Sequence, residues 1–291
     1  MRRTMLFLPG NNPNMIMNGG ILGADSIIFD LEDAVAPDQK DAARELVKNA
    51  LKSLDFGKCE IIVRINALDT PYWETDLEEM IPLKPAVIMP TKVSNGEYIK
   101  KLDEKMTEEE KKNGIEVGTI KIMPLLETAQ GIMNAYEIAK ASKRMIALYL
   151  GAEDLTADLR CPRTKEGTEI LYARQQLVCA ARAAGIEAYD TPFTDVEDLE
   201  GLEKDAKFAK SLGYTGKAVI SPRHVDCVND VFSPTEKEIR YAMDVFEAIE
   251  QAKAMGKGAI SLRGKMIDAP IVMRAKLVLD AAAEIGGLLD E

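Results

Sequence analysis

Short apolar or β-branched runs recur along the chain: TMLFLP (4–9), SIIFDLE (26–32), EIIVRIN (60–66), AVIMPTK (86–92), IKIMPLLE (120–127), MIALYLGAED (145–154), EAYDTPF (187–193) and KAVISP (217–222). Each has the length and bounding residues of a buried strand. Between them the apolar spacing turns helical, as in PDQKDAARELVKNAL, GTEILYARQQLVCAARAAG and DVEDLEGLEKDAKFAKSLG, the last two ending on a glycine suited to a C-cap. Strand and helix in alternation predict parallel pairing through right-handed crossovers. Eight such units favour an α/β fold of the (β/α)₈ TIM-barrel type over an open sheet, and the first turn lacks the glycine patterns of a nucleotide-binding sheet. Residues 1–222 form the expected barrel core. Residues 223–291 add C-terminal helices and a lid, within what the length of 291 residues allows as a single domain. The charge run KKLDEKMTEEEKKNG (100–114) reads as a solvated helix and loop.

Composition narrows the function by exclusion. Hydrophobic content of 46% and charged content of 29% are those of a globular protein. No apolar run approaches the roughly 20 residues that span a bilayer, and the N-terminal apolar run stops at Pro9-Gly10 before it could serve as a signal sequence, so a cytoplasmic location is expected. A net charge of -11 argues against nucleic acid and anionic membrane as partners. The four cysteines, Cys59, Cys161, Cys179 and Cys227, have no paired-ligand spacing. The one histidine, His224, stands in SPRHVD without a nucleophile elbow anywhere in the chain, and is expected in a loop or helix cap.

In a parallel barrel, chemistry sits at the C-terminal ends of the strands. Those ends carry Gly10, then Asp30, Glu32 and Asp33, then Arg64 and Asn66, Lys92, Glu127, Glu153 and Asp154 after Gly151, and Asp190-Thr191. Carboxylates on separate strand ends, without histidine or cysteine, suit a hard cation such as Mg²⁺, which takes oxygen ligands and keeps several waters. Glu127 and one of Glu153 and Asp154 are the candidate ligands; the competing reading is that they cap the helices that follow. Asp30, Glu32 and Asp33 could orient metal-bound waters or start the next helix. Arg64 could grip a carboxylate or an oxyanion, or could pair with an acid across the rim. Asp268, in GKMIDAP, has the position of a helix N-cap, yet Gly256, Gly258 and Gly264 before it suggest a mobile lid that could deliver an acid or base. Lys92 leaves open a metal-free Schiff-base aldolase, and a non-catalytic scaffold is a third reading.

The segments RxxLFLPGN, FDLEDAV, VRIN, PLLET, LGAEDL, RTKEGTEIL and SLRGKMIDAP, in this order, resemble the citrate lyase β family within the HpcH/HpaI aldolase superfamily, over nearly the whole chain. RINALDTPYWETDLE and AGIEAYDTPFTD bring it nearer to that family than to the malyl-CoA and citramalyl-CoA lyases. The resemblance implies a TIM barrel that binds Mg²⁺ through Glu127 and Asp154 and sets Arg64 at a thioester carbonyl. It implies a catalytic Asp268 on a segment reaching over a neighbouring subunit of a trimer or hexamer. It further implies a citryl thioester substrate on acyl carrier protein or coenzyme A, with acyl-transferring α and carrier γ subunits as partners. This chain departs from the family pattern at Lys92 in PTKV, at ISPRH, and at Arg263.

Overall fold

The computed structural model describes residues 1–254 and 261–286; Gly256 and Gly258 lie outside them. Contacts divide the chain into two units, Arg2–Asp230, and Val231 onward together with Met1.

The first unit is built on a curled parallel sheet of nine strands: β1 (Thr4–Pro9), β2 (Ser26–Asp30), β3 (Glu60–Arg64), β4 (Val87–Met89), β5 (Lys121–Ile122), β6 (Leu125–Leu126), β7 (Ala147–Leu150), β8 (Glu187–Asp190) and β9 (Gly216–Val219). Their order is β5-β4-β3-β2-β1-β9-β8-β7-β6. The two outermost strands are consecutive in sequence, separated only by Met123 and Pro124. Proline has no N–H to give a ladder, which accounts for the interruption of the single expected strand at 120–127. Backbone bonds continue on both sides of the gap: Met123 N donates to Ile88 O and Leu125 N to Pro90 O, while Ile146 N donates to Ile122 O and Tyr149 N to Pro124 O.

Alternation along the strands divides their side chains. Met5, Ile28, Ile62, Met89, Met123, Leu125, Ala147, Tyr149, Tyr189 and Ala218 form one buried cluster on the concave face. The intervening residues, among them Leu6, Ile27, Phe29, Val63, Ile88, Ile122, Leu126 and Leu148, are fully buried too. A sheet covered on both faces needs such continuous apolar runs, and this is why the strands read so clearly from sequence. Counting on by two along the concave set reaches Asp30, Arg64, Glu127, Gly151 and Thr191.

The helices follow their predicted caps. Leu171–Ala184 ends on Gly185 at φ 76° and Leu199–Leu212 on Gly213 at φ 106°, left-handed positions that glycine adopts freely. The charged stretch at 100–114 is a helix and loop as expected, within the helix Gly96–Lys112, but its solvation is one-sided: Ile99, Leu102 and Met106 are buried and Glu110 is fully buried against Arg144. His224, expected in a loop or helix cap, closes the short 3₁₀ turn Pro222–His224 directly ahead of the helix Val225–Phe232, and is fully buried there with its Nε2 3.3 Å from Val196 O.

The second unit packs the helices Glu236–Ala254 and Ala269–Glu284 around Ala242, Val245, Ile267 and Ala275. A two-residue hairpin turn at Arg263 and Gly264, both at positive φ, joins the short antiparallel strands Ser261–Leu262 and Lys265–Met266. Arg263 pairs with Asp244 and lies over the Tyr241 ring. Among the described residues no helix is long and apolar enough to cross a membrane.

Candidate functional site

A cavity of about 450 Å³ opens at the C-terminal ends of the strands, with Asp30, Asp33, Arg64, Glu127, Gly151, Glu153, Asp154 and Thr191 in its wall beside Phe7, Pro9, Met15 and Ile220. Its mixture of apolar wall and a few convergent charges is that of a small-molecule site.

Glu127 is 4% exposed. Its Oε1 accepts a 2.7 Å hydrogen bond from the backbone N–H of Lys92, and its side chain lies against the bare Cα of Gly151. Burial and the neighbouring charge of Asp154 push its carboxyl up to about 8. Asp154 stands in the first turn of the helix Ala152–Asp158. That helix is pinned at its start by Ala152 N–H donating to Thr191 Oγ1 at 3.1 Å. At its other end Asp158 Oδ2 accepts from Ala129 N at 2.7 Å, two residues beyond Glu127. The two carboxylates are thus carried on segments tied to each other. Glu153, in the same turn, faces Arg163 with Nε 3.4 Å from its Oε1.

Arg64 is clamped. Its Nε and Nη2 donate to the two oxygens of Asp30, its Nη1 lies 3.4 Å from Glu32 Oε2, and its guanidinium covers the Phe7 ring at 5.0 Å. The paired-acid reading of Arg64 is therefore realised, and it keeps the guanidinium in the cavity wall. Asp30 also accepts from the N–H groups of Glu32 and Ala34, so each of its oxygens takes one bond from Arg64 and one from the backbone. Glu32, buried and raised by that burial, receives Lys92 Nζ at 2.8 Å and the Asp33 N–H at 2.8 Å. Asn66 is buried outside the cavity wall, where its Nδ2 donates to Asp76 and to the Leu31 carbonyl and ties the ends of β2 and β3 together. Gly10 sits on the Asp30 carbonyl, where an added Cβ would lie 2.7 Å from that oxygen.

Lys92 stands at φ 53°, in the left-handed region. Its Nζ is 3.7 Å from both Asp33 Oδ1 and Asp154 Oδ2. Burial lowers its pKa, but the Glu32 hydrogen bond and the charges of Glu32, Asp33 and Asp154 outweigh it and leave the ammonium more firmly protonated than usual. A lysine so held is a poor Schiff-base nucleophile, which needs the free amine.

Asp190 does not belong to the rim. It is fully buried on the opposite face of β8, where Arg174 Nε donates to its Oδ1 at 2.9 Å and Lys217 Nζ donates to its Oδ2; Asp205 completes this cluster. Asp268 lies in the C-terminal unit, exposed, where its Oδ1 accepts from Ile271 N at 3.1 Å as the N-cap of Ala269–Glu284. Of the Asp190-Thr191 pair read at this strand end, Thr191 is the member that lines the cavity. One contributor escapes sequence reading: Lys40, whose Nζ donates to the carbonyls of Leu31 and Glu32 at 2.8 and 2.7 Å and holds that loop in place.

The chemistry of the donor set fits Mg²⁺. Glu127 and Asp154 are hard oxygen donors at the wall of a cavity, and among the described residues no group of three or more His, Cys, Asp and Glu forms a closed metal cage. A cation that retains waters and leaves positions for substrate is suited to two carboxylates.

Residues 3–222 match the family model described as HpcH/HpaI aldolase/citrate lyase. The chain belongs to the HpcH/HpaI aldolase/citrate lyase family. Within that family, it is 48% identical to the citrate lyase subunit beta of Leuconostoc mesenteroides subsp. cremoris over 97% of this chain and 93% of the relative. It is 32% identical to the rat mitochondrial citramalyl-CoA lyase, over 98% of this chain and 87% of that one. Among solved structures, the protein CitE from Mycobacterium tuberculosis, in complex with magnesium, acetoacetate and coenzyme A, superposes with a TM-score of 0.78 at 28% identity, covering 97% of this chain and 98% of that chain.

Proposed function

We propose that this protein is a Mg²⁺-dependent carbon–carbon lyase that cleaves a citryl thioester to oxaloacetate and an acetyl thioester. The observation that carries the reading is the convergence of Glu127, Asp154 and the Asp30-clamped Arg64 on one cavity. The likeness to citrate lyase β subunits supports the citryl group, and the magnesium complex of a related structure supports the metal. The nine strands are best understood as eight, with 120–127 a single strand broken at Pro124; its hydrogen bonds to both neighbours support a closed TIM barrel.

Cleavage requires loss of the proton on a hydroxyl β to the thioester carbonyl and acceptance of the bond electrons as a thioester enolate. Glu127 and Asp154 would hold the metal. Bound Mg²⁺ supplies Lewis-acid stabilisation of negative charge on the substrate's oxygens. Arg64 faces the enolate oxygen with a charge that cannot be lost, and Asp30 fixes the plane of its guanidinium. The proton that converts enolate to acetyl thioester is assigned to Asp268 on the family resemblance. The same likeness points to a homo-oligomer working with an α subunit and an acyl carrier γ subunit.

Oxaloacetate release from citryl thioesters of acyl carrier protein and coenzyme A, followed through malate dehydrogenase and NADH, tests the reading. Magnesium-dependent release that EDTA abolishes is the expected result. No release from either carrier, with pyruvate formed from citramalyl thioester instead, would overturn it.

A further inference from the structure

Lys92 touches both carboxylates assigned to the metal, by two different parts of itself. Its backbone N–H donates to Glu127 Oε1 at 2.7 Å, and its Nζ stands 3.7 Å from Asp154 Oδ2. Alternation after Val87 and Met89 gives Thr91 the concave face and Lys92 the opposite one. The left-handed φ of 53° breaks that alternation just beyond the strand. Non-glycine residues rarely adopt such a backbone unless the surroundings hold it there. Here the residue is anchored at both ends, by Glu127 at the amide and by Glu32, at 2.8 Å, at the ammonium.

We infer that Lys92 is a positioning residue that sets the magnesium affinity of the site: its amide orders Glu127, and its ammonium competes with the metal for Asp154. This rests on Glu127 and Asp154 as the metal ligands. The ammonium makes no bond to substrate in this role. A fixed positive charge beside Asp154 opposes a second cation through simple Coulomb repulsion, and its removal leaves Glu32 and Asp33 to add to the negative potential.

The two parts of Lys92 separate by substitution, with magnesium titrated calorimetrically into the full chain. Lys92→Gly removes the ammonium and keeps a left-handed backbone at no steric cost, so it should bind Mg²⁺ on the order of tenfold more tightly than wild type. Lys92→Ala also lacks the ammonium but strains the turn, so it should bind several-fold less tightly than Lys92→Gly. Lys92→Arg keeps the charge and should stay near wild type. Glycine binding no tighter than wild type would overturn the competition, and indistinguishable glycine and alanine variants would overturn the role of the amide. A wild-type protein with no Mg²⁺ uptake, or uptake unaffected by Glu127→Gln, would instead remove the ligand assignment on which the inference stands.

Discussion

A Cβ placed on Gly151 would stand 2.8 Å from the Cβ of Glu127 and 2.9 Å from its Oε2. The glycine is the space into which the Glu127 carboxylate fits. Gly151→Ala therefore forces either Glu127 or the strand end to move. Overpacking of this kind costs about 1–3 kcal/mol. The variant should melt at a lower temperature and bind Mg²⁺ on the order of tenfold less well, measured by calorimetry. Unchanged metal binding would separate Gly151 from the site.

Asp30→Asn leaves Arg64 buried with one formal partner fewer. Loss of one member of a buried pair costs about 3 kcal/mol or more, which denaturant unfolding would register. Turnover should fall on the order of 100-fold through a displaced guanidinium, with Mg²⁺ binding close to wild type. Arg64→Lys should not restore it, because an ammonium cannot make the two-pronged contact.

The raised carboxyl of Glu127 gives a pH dependence whose sign can be worked out. Between the ordinary glutamate value of 4.5 and about 8 the metal-free folded protein holds a proton that the unfolded chain has released. Stability without metal should therefore fall as pH rises through that window. Mg²⁺ must displace that proton, so its apparent affinity should increase about tenfold per unit towards pH 8 and level off above it. Titration in buffers of different ionisation enthalpy counts the proton released; none released at pH 7 would contradict the assignment.

Asp268→Asn isolates proton transfer from metal binding. Oxaloacetate release should drop about 10²- to 10⁴-fold, the range of general acid–base catalysis, while Mg²⁺ affinity is retained. Full activity in this variant would remove Asp268 from the chemistry.

Asp205→Asn tests the ion cluster under the helices. Arg174, Asp190 and Lys217 are fully buried there, and the substitution strips one of the two acids that balance two cations. A loss of about 3 kcal/mol in urea unfolding is expected, with little change in turnover by the remaining folded enzyme.

The strands were legible in the sequence because both faces of the sheet are buried, so their apolar runs are continuous and bounded by turn residues. The glycines at 185 and 213 marked helix ends for an equally local reason. The rim was legible only as a set of residues. Glu127, Asp154 and Arg64 all line the cavity, but sequence could not distribute partners among neighbouring acids. Asp190 and Thr191 are adjacent in the chain, yet they face the helices and the cavity respectively, and the end of a strand does not announce which parity points inward. Glu110, within the run read as solvated, is buried because Arg144 pairs with it, and Lys40 is held by the carbonyls of Leu31 and Glu32; helical spacing records periodicity and signals neither partner.

Leu126 and Glu127 are neighbours in sequence, and the pleat assigns them to opposite sides of the sheet. One residue inserted or deleted just ahead of them would leave the composition almost untouched and exchange their destinations, a leucine into the cavity and an acid beneath the helices. The sheet thus has something like a reading frame. Point substitutions alter it one letter at a time, but a shift of one garbles everything downstream in that strand, so length changes compatible with activity belong in the loops and helices between strands.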